Sequence, residues 1–177
     1  RICCAATVYF IFLSLFVPKN LHMSEILCTF AQSNIMTMTL SANQLSELNN
    51  RLHPIIGAIF EVHKQLGIGL EEPIYNESLC LELTSQGIPN DSERSLACYY
   101  KEQRLAKTYR MDIVCYDDII LELKSVDQLI SAHREQLFNY MRLTKMPIGV
   151  LINFNASKVI PEKYFYNHCT NEITRFY

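Results

Sequence analysis

Apolar positions in the chain change their spacing several times, and each change marks an element. Between Ser46 and Leu66, the residues Leu52, Ile55, Ile56, Ile59, Phe60, His63 and Leu66 recur at three- and four-residue steps, the period of an amphipathic helix. Pro54 lies in its first turns, so regular helix is expected to begin near that residue. Gly67-Ile68-Gly69 ends it. A second helix is expected from Glu71 to Ser85, opened by Glu71, Glu72 and Pro73, with Ile74, Leu79 and Leu83 in its apolar stripe. Ile88-Pro89-Asn90-Asp91 reads as loop. Strand patterns follow at Arg94–Tyr100, Leu105–Cys115 and Ile119–Val126, joined through Lys101–Arg104 and Tyr116-Asp117-Asp118. A helix is expected from about Asp127 to Leu143. The run Ile148–Phe154 is too uniformly apolar for an edge strand. Pro161–Tyr166 is read as a short helix. The order is two helices, a three-stranded meander, a helical crossover and a further strand. It predicts a one-domain α/β fold whose mixed central sheet is flanked by helices.

The first forty residues break this pattern. Ile2–Val17 holds fourteen apolar residues in sixteen and no charge. As a helix it spans about 24 Å, short of the roughly 30 Å of a bilayer core. Upstream translation, a signal or anchor, and a genuine extension are the alternatives. Residues 1–40 are therefore expected to lie outside the domain, which occupies 41–177, and a start at Met36 or Met38 leaves a common domain size.

Composition narrows the class. With 49% apolar residues the chain is too apolar for disorder. Sixteen basic against eighteen acidic residues exclude a wholly basic nucleic-acid-binding surface but allow a local basic groove. The seven cysteines are odd in number and contain no C-x-x-C pair, so zinc and disulfide frameworks are weak readings. Reduced buried thiols in a cytoplasmic protein are the expectation.

Candidate chemistry centres on Asp112, Glu122 and Lys124. Glu122 and Lys124 are two apart on a strand and so leave the same face. Their neighbours Ile119, Ile120, Leu121, Leu123 and Val126 mark a central strand, where charges are costly unless paired or metal-bound. Asp112 similarly interrupts Met111 and Ile113-Val114-Cys115. For Asp112 to meet Glu122, paired residue numbers must sum to about 234, which requires a three-residue connection or a bulge. A two-residue turn puts Asp112 opposite Leu123, on the wrong face. Two carboxylates and a lysine suit Mg²⁺ or Mn²⁺ and phosphodiester chemistry. The structural alternative is a buried ion pair of Glu122 with Lys124 or Arg110.

These residues resemble the PD-(D/E)xK nuclease superfamily and, more narrowly, the small GxxExxY proteins. Gly69, Glu72 and Tyr75 stand in the named positions of Gly69-Leu70-Glu71-Glu72-Pro73-Ile74-Tyr75. Ile55–His63 resembles the family's opening helix. Tyr109-Arg110-Met111-Asp112, Leu121-Glu122-Leu123-Lys124, Gln136 with Tyr140 in the Q-x-x-x-Y pattern of RecB-like members, and Gly149–Phe154 follow in order. Met111 replaces the usual proline. The resemblance implies a restriction-endonuclease-like core, with Asp112 and Glu122 as metal ligands and Lys124 as catalytic lysine. Gln136 and Tyr140 line the site, and Glu72 is a further metal-linked carboxylate. His63 and His133 are read as structural before catalytic, and Glu61 as either a site residue or a solvated one.

Charge adds a substrate surface. Glu61–Glu93 carries seven acids and one lysine, whereas Arg94–Arg110 carries five cations against Glu102. Arg104, Lys107 and Arg110 are the candidates for tracking a phosphate backbone. The expected activity is metal-dependent hydrolysis of nucleic acid, DNA ahead of RNA. A silent nuclease-fold module binding nucleic acid or a protein is the alternative. A second copy or a protein partner is expected to complete the binding surface, with no membrane role for the core domain.

Overall fold

The computed structural model describes residues 42–177. The first forty positions, with the extension expected there, lie outside the described residues. The element order is α1 (Ala42–Leu66), α2 (Glu72–Ser85), β1 (Asn90–Tyr100), β2 (Gln103–Cys115), β3 (Ile119–Lys124), α3 (Ser131–Thr144), β4 (Ile148–Asn153), β5 (Glu162–Asn167) and β6 (Glu172–Phe176). The strands form one six-stranded sheet in the order β1-β2-β3-β4-β5-β6. Only β3 and β4 are parallel, as the helical crossover α3 demands, and the other pairs are antiparallel. The mixed α/β expectation holds, and β4 is an interior strand with all six residues buried.

The sheet separates two apolar layers. On one face, Leu48, Leu52, Ile55, Ile59 and Val62 of α1 and Tyr75, Leu79 and Leu83 of α2 cover Ile113, Leu121, Val150 and Ile152. On the other, Leu137, Tyr140 and Met141 of α3 cover Met111, Val114, Ile120 and Leu151. Gly149 lets α3 approach closely: a Cβ there would sit 2.6 Å from Met141 Sδ and 3.0 Å from Leu137 Cδ1.

Several expectations are corrected. Helix α1 begins at Ala42 and runs through Pro54. The proline removes one backbone donor, while Leu48 and Leu52 upstream are buried and hold the preceding turns on the sheet. Phe60 and Leu66 face outward. In α2, Ile74 is exposed, and Tyr75 takes the place expected for it in the stripe with Leu79 and Leu83. β1 starts at Asn90 rather than Arg94, because the Tyr116 N–H bonds to Pro89 O (3.1 Å) and extends the pairing. α3 starts at Ser131, four residues later than expected. The Asn153 side chain bonds both Val126 N–H (3.1 Å) and Val126 O (2.7 Å), holding that segment out of the helix. Pro161–Tyr166 is not helical. Glu162, Tyr164 and Tyr166 are buried while Lys163, Phe165 and Asn167 are half-buried, the two-residue period of a strand. Cys98 and Cys115 are buried free thiols, as expected, and Cys80 is a half-buried one; Cys169 is exposed and disulfide-bonded, against the expectation of reduced thiols. No described helix is long and apolar enough to cross a membrane.

Candidate active site

Cys115 pairs with Ile119, Val114 with Ile120 and Ile113 with Leu121, so every pair sums to 234 and the connection is the three-residue Tyr116-Asp117-Asp118. This is the register needed to bring Asp112 level with Glu122. Beyond Ile113 the ladder opens, and the Asp112 side chain takes its place: Oδ2 accepts the Leu123 N–H at 2.7 Å.

Glu122 and Lys124 leave β3 on the α3 side, in line with Ile120. Glu122 is 0% exposed. Its Oε1 accepts from Lys124 Nζ at 2.6 Å, so the structural pairing expected for it is with Lys124 and not Arg110. Its Oε2 is buried with no hydrogen-bond partner. Glu72, in the first turn of α2, approaches the same ammonium at 3.9 Å. Burial first, and then the Asp112 charge, push the Glu122 carboxyl up to about 8, against the pull of Lys124. Burial also raises Asp112, opposed by the Leu123 N–H. It raises Glu72 as well, opposed by Lys124 and reinforced by Asp112. Burial disfavours the Lys124 ammonium, but Glu122, Glu72 and Asp112 outweigh it and hold its pKa above the usual value. Burial is thus the largest cause at all three carboxyls, and the Lys124 charge offsets it only in part.

Tyr140 adjoins this cluster from α3. Burial raises its pKa, and the charges of Glu122 and Asp112 add to the rise, while Gln136 Nε2 donates to its hydroxyl at 3.0 Å. Tyr109 of β2 meets the Tyr140 ring edge to face, with centroids 5.8 Å apart. His133 lies near Lys124 but serves α3: Nδ1 accepts the Ile130 N–H at 3.3 Å.

The motif residues Gly69 and Tyr75 act on the backbone rather than at the cluster. Gly67 and Gly69 have φ of +70° and +91°, values that a side chain resists. The Tyr75 hydroxyl donates to Gly67 O (2.9 Å) and accepts from Leu70 N–H (3.3 Å), and its ring stacks on Phe154 at 4.6 Å. Asn155 Oδ1 accepts the Gly69 N–H (3.1 Å), and Ser125 Oγ donates to Leu70 O (2.6 Å). These bonds tie the loop ahead of α2 to the segments that follow β3 and β4, which sets where Glu72 points. Asn153, Asn155 and Ser125 were not singled out from sequence; an amide at the end of an all-apolar strand was the available signal.

Other candidates lie elsewhere. His63 bonds Ala156 O at 2.9 Å, and Glu61 is occupied by Lys64 and Gln65 on the surface of α1. Arg104 and Lys107 are exposed on the β1–β2 hairpin, and Arg110 pairs with Glu93 at 3.1 Å. Among the described residues, no group of three or more acidic, histidine or cysteine side chains is placed to hold a metal ion.

Residues 49–163 match the family model of the PD-(D/E)XK nuclease superfamily. The match covers more than half of the chain, and the chain belongs to that superfamily. Among the described residues, the six-stranded mixed sheet with three helices is the restriction-endonuclease-like fold of this class. No curated protein and no solved structure matches the chain.

Proposed function

We propose that the chain is a metal-dependent nuclease of the GxxExxY type, hydrolysing phosphodiester bonds through Asp112, Glu122 and Lys124. The observation that carries this reading is the unpartnered, buried Glu122 Oε2 beside Asp112, Glu72 and Lys124. A purely structural ion pair has no use for a third and fourth member, nor for an orphaned carboxylate oxygen whose burial is costly. The donor set fits a hard divalent cation such as Mg²⁺ or Mn²⁺, which takes few carboxylates and keeps several waters, so a full protein cage is not required. Asp112 and Glu122 would hold it, with Glu72 alongside. Bound there, such an ion lowers the pKa of a coordinated water and offsets charge on the phosphate.

The remaining roles belong to the chain itself. Lys124, whose ammonium donates to Glu122 at 2.6 Å, would orient or help deprotonate the attacking water, or donate to a phosphate oxygen. The Leu123 N–H fixes one Asp112 oxygen and thereby the direction of the other. Gln136 and Tyr140, one helical turn apart, present an amide and a hydroxyl at the α3 side of the cluster, in keeping with RecB-like relatives. Arg104, Lys107 and Arg110 provide the backbone contacts. DNA stands ahead of RNA as substrate, the compartment is cytoplasmic, and a second copy or a protein partner extends the binding surface.

The test is a cleavage assay across single- and double-stranded DNA and RNA with Mg²⁺, Mn²⁺ or EDTA. Cleavage is expected only with metal, and Asp112→Asn or Lys124→Ala should reduce it at least 10³-fold, on the order expected for loss of transition-state charge stabilisation. Metal-independent binding without cleavage by the wild type replaces this reading with that of a silent module.

A further inference from the structure

The β1–β2 hairpin is much longer than the sheet needs. Only Ile113–Cys115 of β2 pair with β3, and residues 103–110 are all exposed. The distal part is a two-stranded arm projecting past the body of the sheet. Such an arm ordinarily carries polar side chains. This one exposes Tyr99 (60%), Tyr100 (66%), Leu105 and Tyr109 (41%). Lys101, Arg104 and Lys107 lie among them with only Glu102 in opposition, and none of the three cations makes an ion pair among the described residues.

The arm is continuous with the candidate active site. Tyr109 touches Tyr140, which borders Glu122 and Asp112. Tyr109 pairs with Leu96 across the hairpin, and partners share a face. Leu96 packs in the α3-side layer, and beyond a shift of register between Ala97 and Tyr99 the strand carries Tyr99 and Tyr100, both exposed, to the hairpin tip. Exposed aromatic rings thus stand at both ends of the arm, Tyr109 beside the carboxylate–lysine cluster and Tyr99 and Tyr100 near the tip, with Lys101, Arg104 and Lys107 among them. Lys101 Nζ lies 5.6 Å from the centre of the Tyr100 ring, so ring and charge are presented together.

We propose that this arm is a stacking platform for single-stranded nucleic acid. Unpaired bases rest on Tyr109 and Tyr100, and Arg104 and Lys107 follow the phosphates, leading the strand into the site. Paired bases keep their faces hidden in the stack and cannot use such rings, whereas unpaired bases offer them in any sequence. The proposal deepens the nuclease reading and rests on it for the direction of travel, but binding to the arm does not require cleavage.

The test is fluorescence anisotropy of a labelled dT oligonucleotide and of a duplex of equal length, in EDTA, with cleavage followed separately in Mg²⁺ or Mn²⁺. The single strand is expected to bind at least tenfold more tightly than the duplex. Tyr100→Ala should weaken single-strand binding about tenfold or more, and Tyr100→Phe should keep it, since the ring and not the hydroxyl does the stacking. Lys107→Gln should lower the dependence of log K on log salt by about 0.7. The chain has no tryptophan, so Tyr100→Trp adds a sole indole whose emission the bound strand should quench. Circular dichroism confirms that each variant is folded. Equal affinity for both nucleic acids, or wild-type single-strand affinity in folded Tyr100→Ala, overturns the proposal even if cleavage is intact. So does a change of oligomeric state in Tyr100→Ala with binding unaltered, which assigns the arm to a second copy. Tight, Tyr100-dependent binding by a wild type that never cuts leaves this proposal standing and removes the nuclease reading.

Discussion

Glu162 is the other buried carboxylate of the sheet, and its surroundings are the reverse of those at Glu122. Arg134 donates to both of its oxygens (2.8 and 2.7 Å), the Tyr164 hydroxyl donates at 2.6 Å, and Arg175 lies 3.6 Å away. Burial opposes the charge, but these donors outweigh it and hold the Glu162 carboxyl below its ordinary value. A carboxyl with a lowered folded pKa adds stability above its unfolded pKa, and that stability disappears as pH falls through the folded value. Glu162→Gln should therefore cost about 1–3 kcal/mol at pH 7, the range for hydrogen bonds to a charged group. The gap to the wild type should narrow as pH drops below about 4. Thermal melts of both proteins between pH 7 and pH 3 check this; a constant gap means that the charge does not matter. The contrast shows what could be read from single residues. Asp112, Glu122 and Lys124 stood out because each interrupts an apolar strand, and their convergence followed from strand parity and one loop length. Glu162 gave no such signal, because its partners come from α3 and β6, and neighbours distant in sequence do not show in a local pattern.

At the scale of elements, the central pieces were legible and their ends were not. β3 and β4 carry mostly apolar runs and α2 is opened by Glu71, Glu72 and Pro73, so their cores fall where expected. The errors came where distant groups claim the backbone. Asn153 and the Phe154 N–H, which bonds Lys124 O at 2.8 Å, hold the chain extended past β3 and delay α3. Pro161-Glu162-Lys163 has the composition of a first helical turn, yet pairing with β4 and β6 makes it strand. The Tyr75 role was hidden for a similar reason. Its motif position suggested chemistry, while its contacts are with Phe154 and the glycine loop. Packing between α3 and β4 gives a prediction of its own. Gly149→Ala forces a methyl group against Met141 Sδ and the Leu137 side chain. Met141 is flexible and yields in part, but Leu137 sits tightly in the layer. The expected loss is about 1–3 kcal/mol, typical of overpacking. Because Leu137 and Tyr140 share the face of α3, the same change should displace Tyr140 and lower activity. Chemical denaturation and cleavage rates measured together check it, and wild-type stability shows that α3 can retreat at no cost.

The whole molecule divides by its two faces and by its ends. The α1–α2 face holds the larger apolar layer and includes no member of the carboxylate cluster other than Glu72, which reaches in from the start of α2. The α3 face is smaller, mixes apolar and charged residues, and carries the candidate chemistry. Such a division places structural stability in α1, α2, β3 and β4, and leaves the α3 face and the projecting hairpin free to meet a substrate. The described residues, 42–177, form one compact unit with both layers inside it. Every named member of the cluster, of the glycine loop and of the hairpin lies within it. A chain beginning at Met38 is thus expected to fold and to retain the function of the site. Its melting temperature should stay within about 3 °C of the full chain, less than about 1 kcal/mol for a domain of this size. Its cleavage rate, or its single-strand affinity in EDTA, should be unchanged. α1 begins at Ala42, so a chain beginning at Pro54 tests the other side of the boundary. It loses Leu48 and Leu52 from the layer, and removal of two buried leucines should cost several kcal/mol, at about 2–5 kcal/mol for each. Full stability in the Pro54 chain, or collapse of the Met38 chain, moves the boundary of the domain away from residue 40.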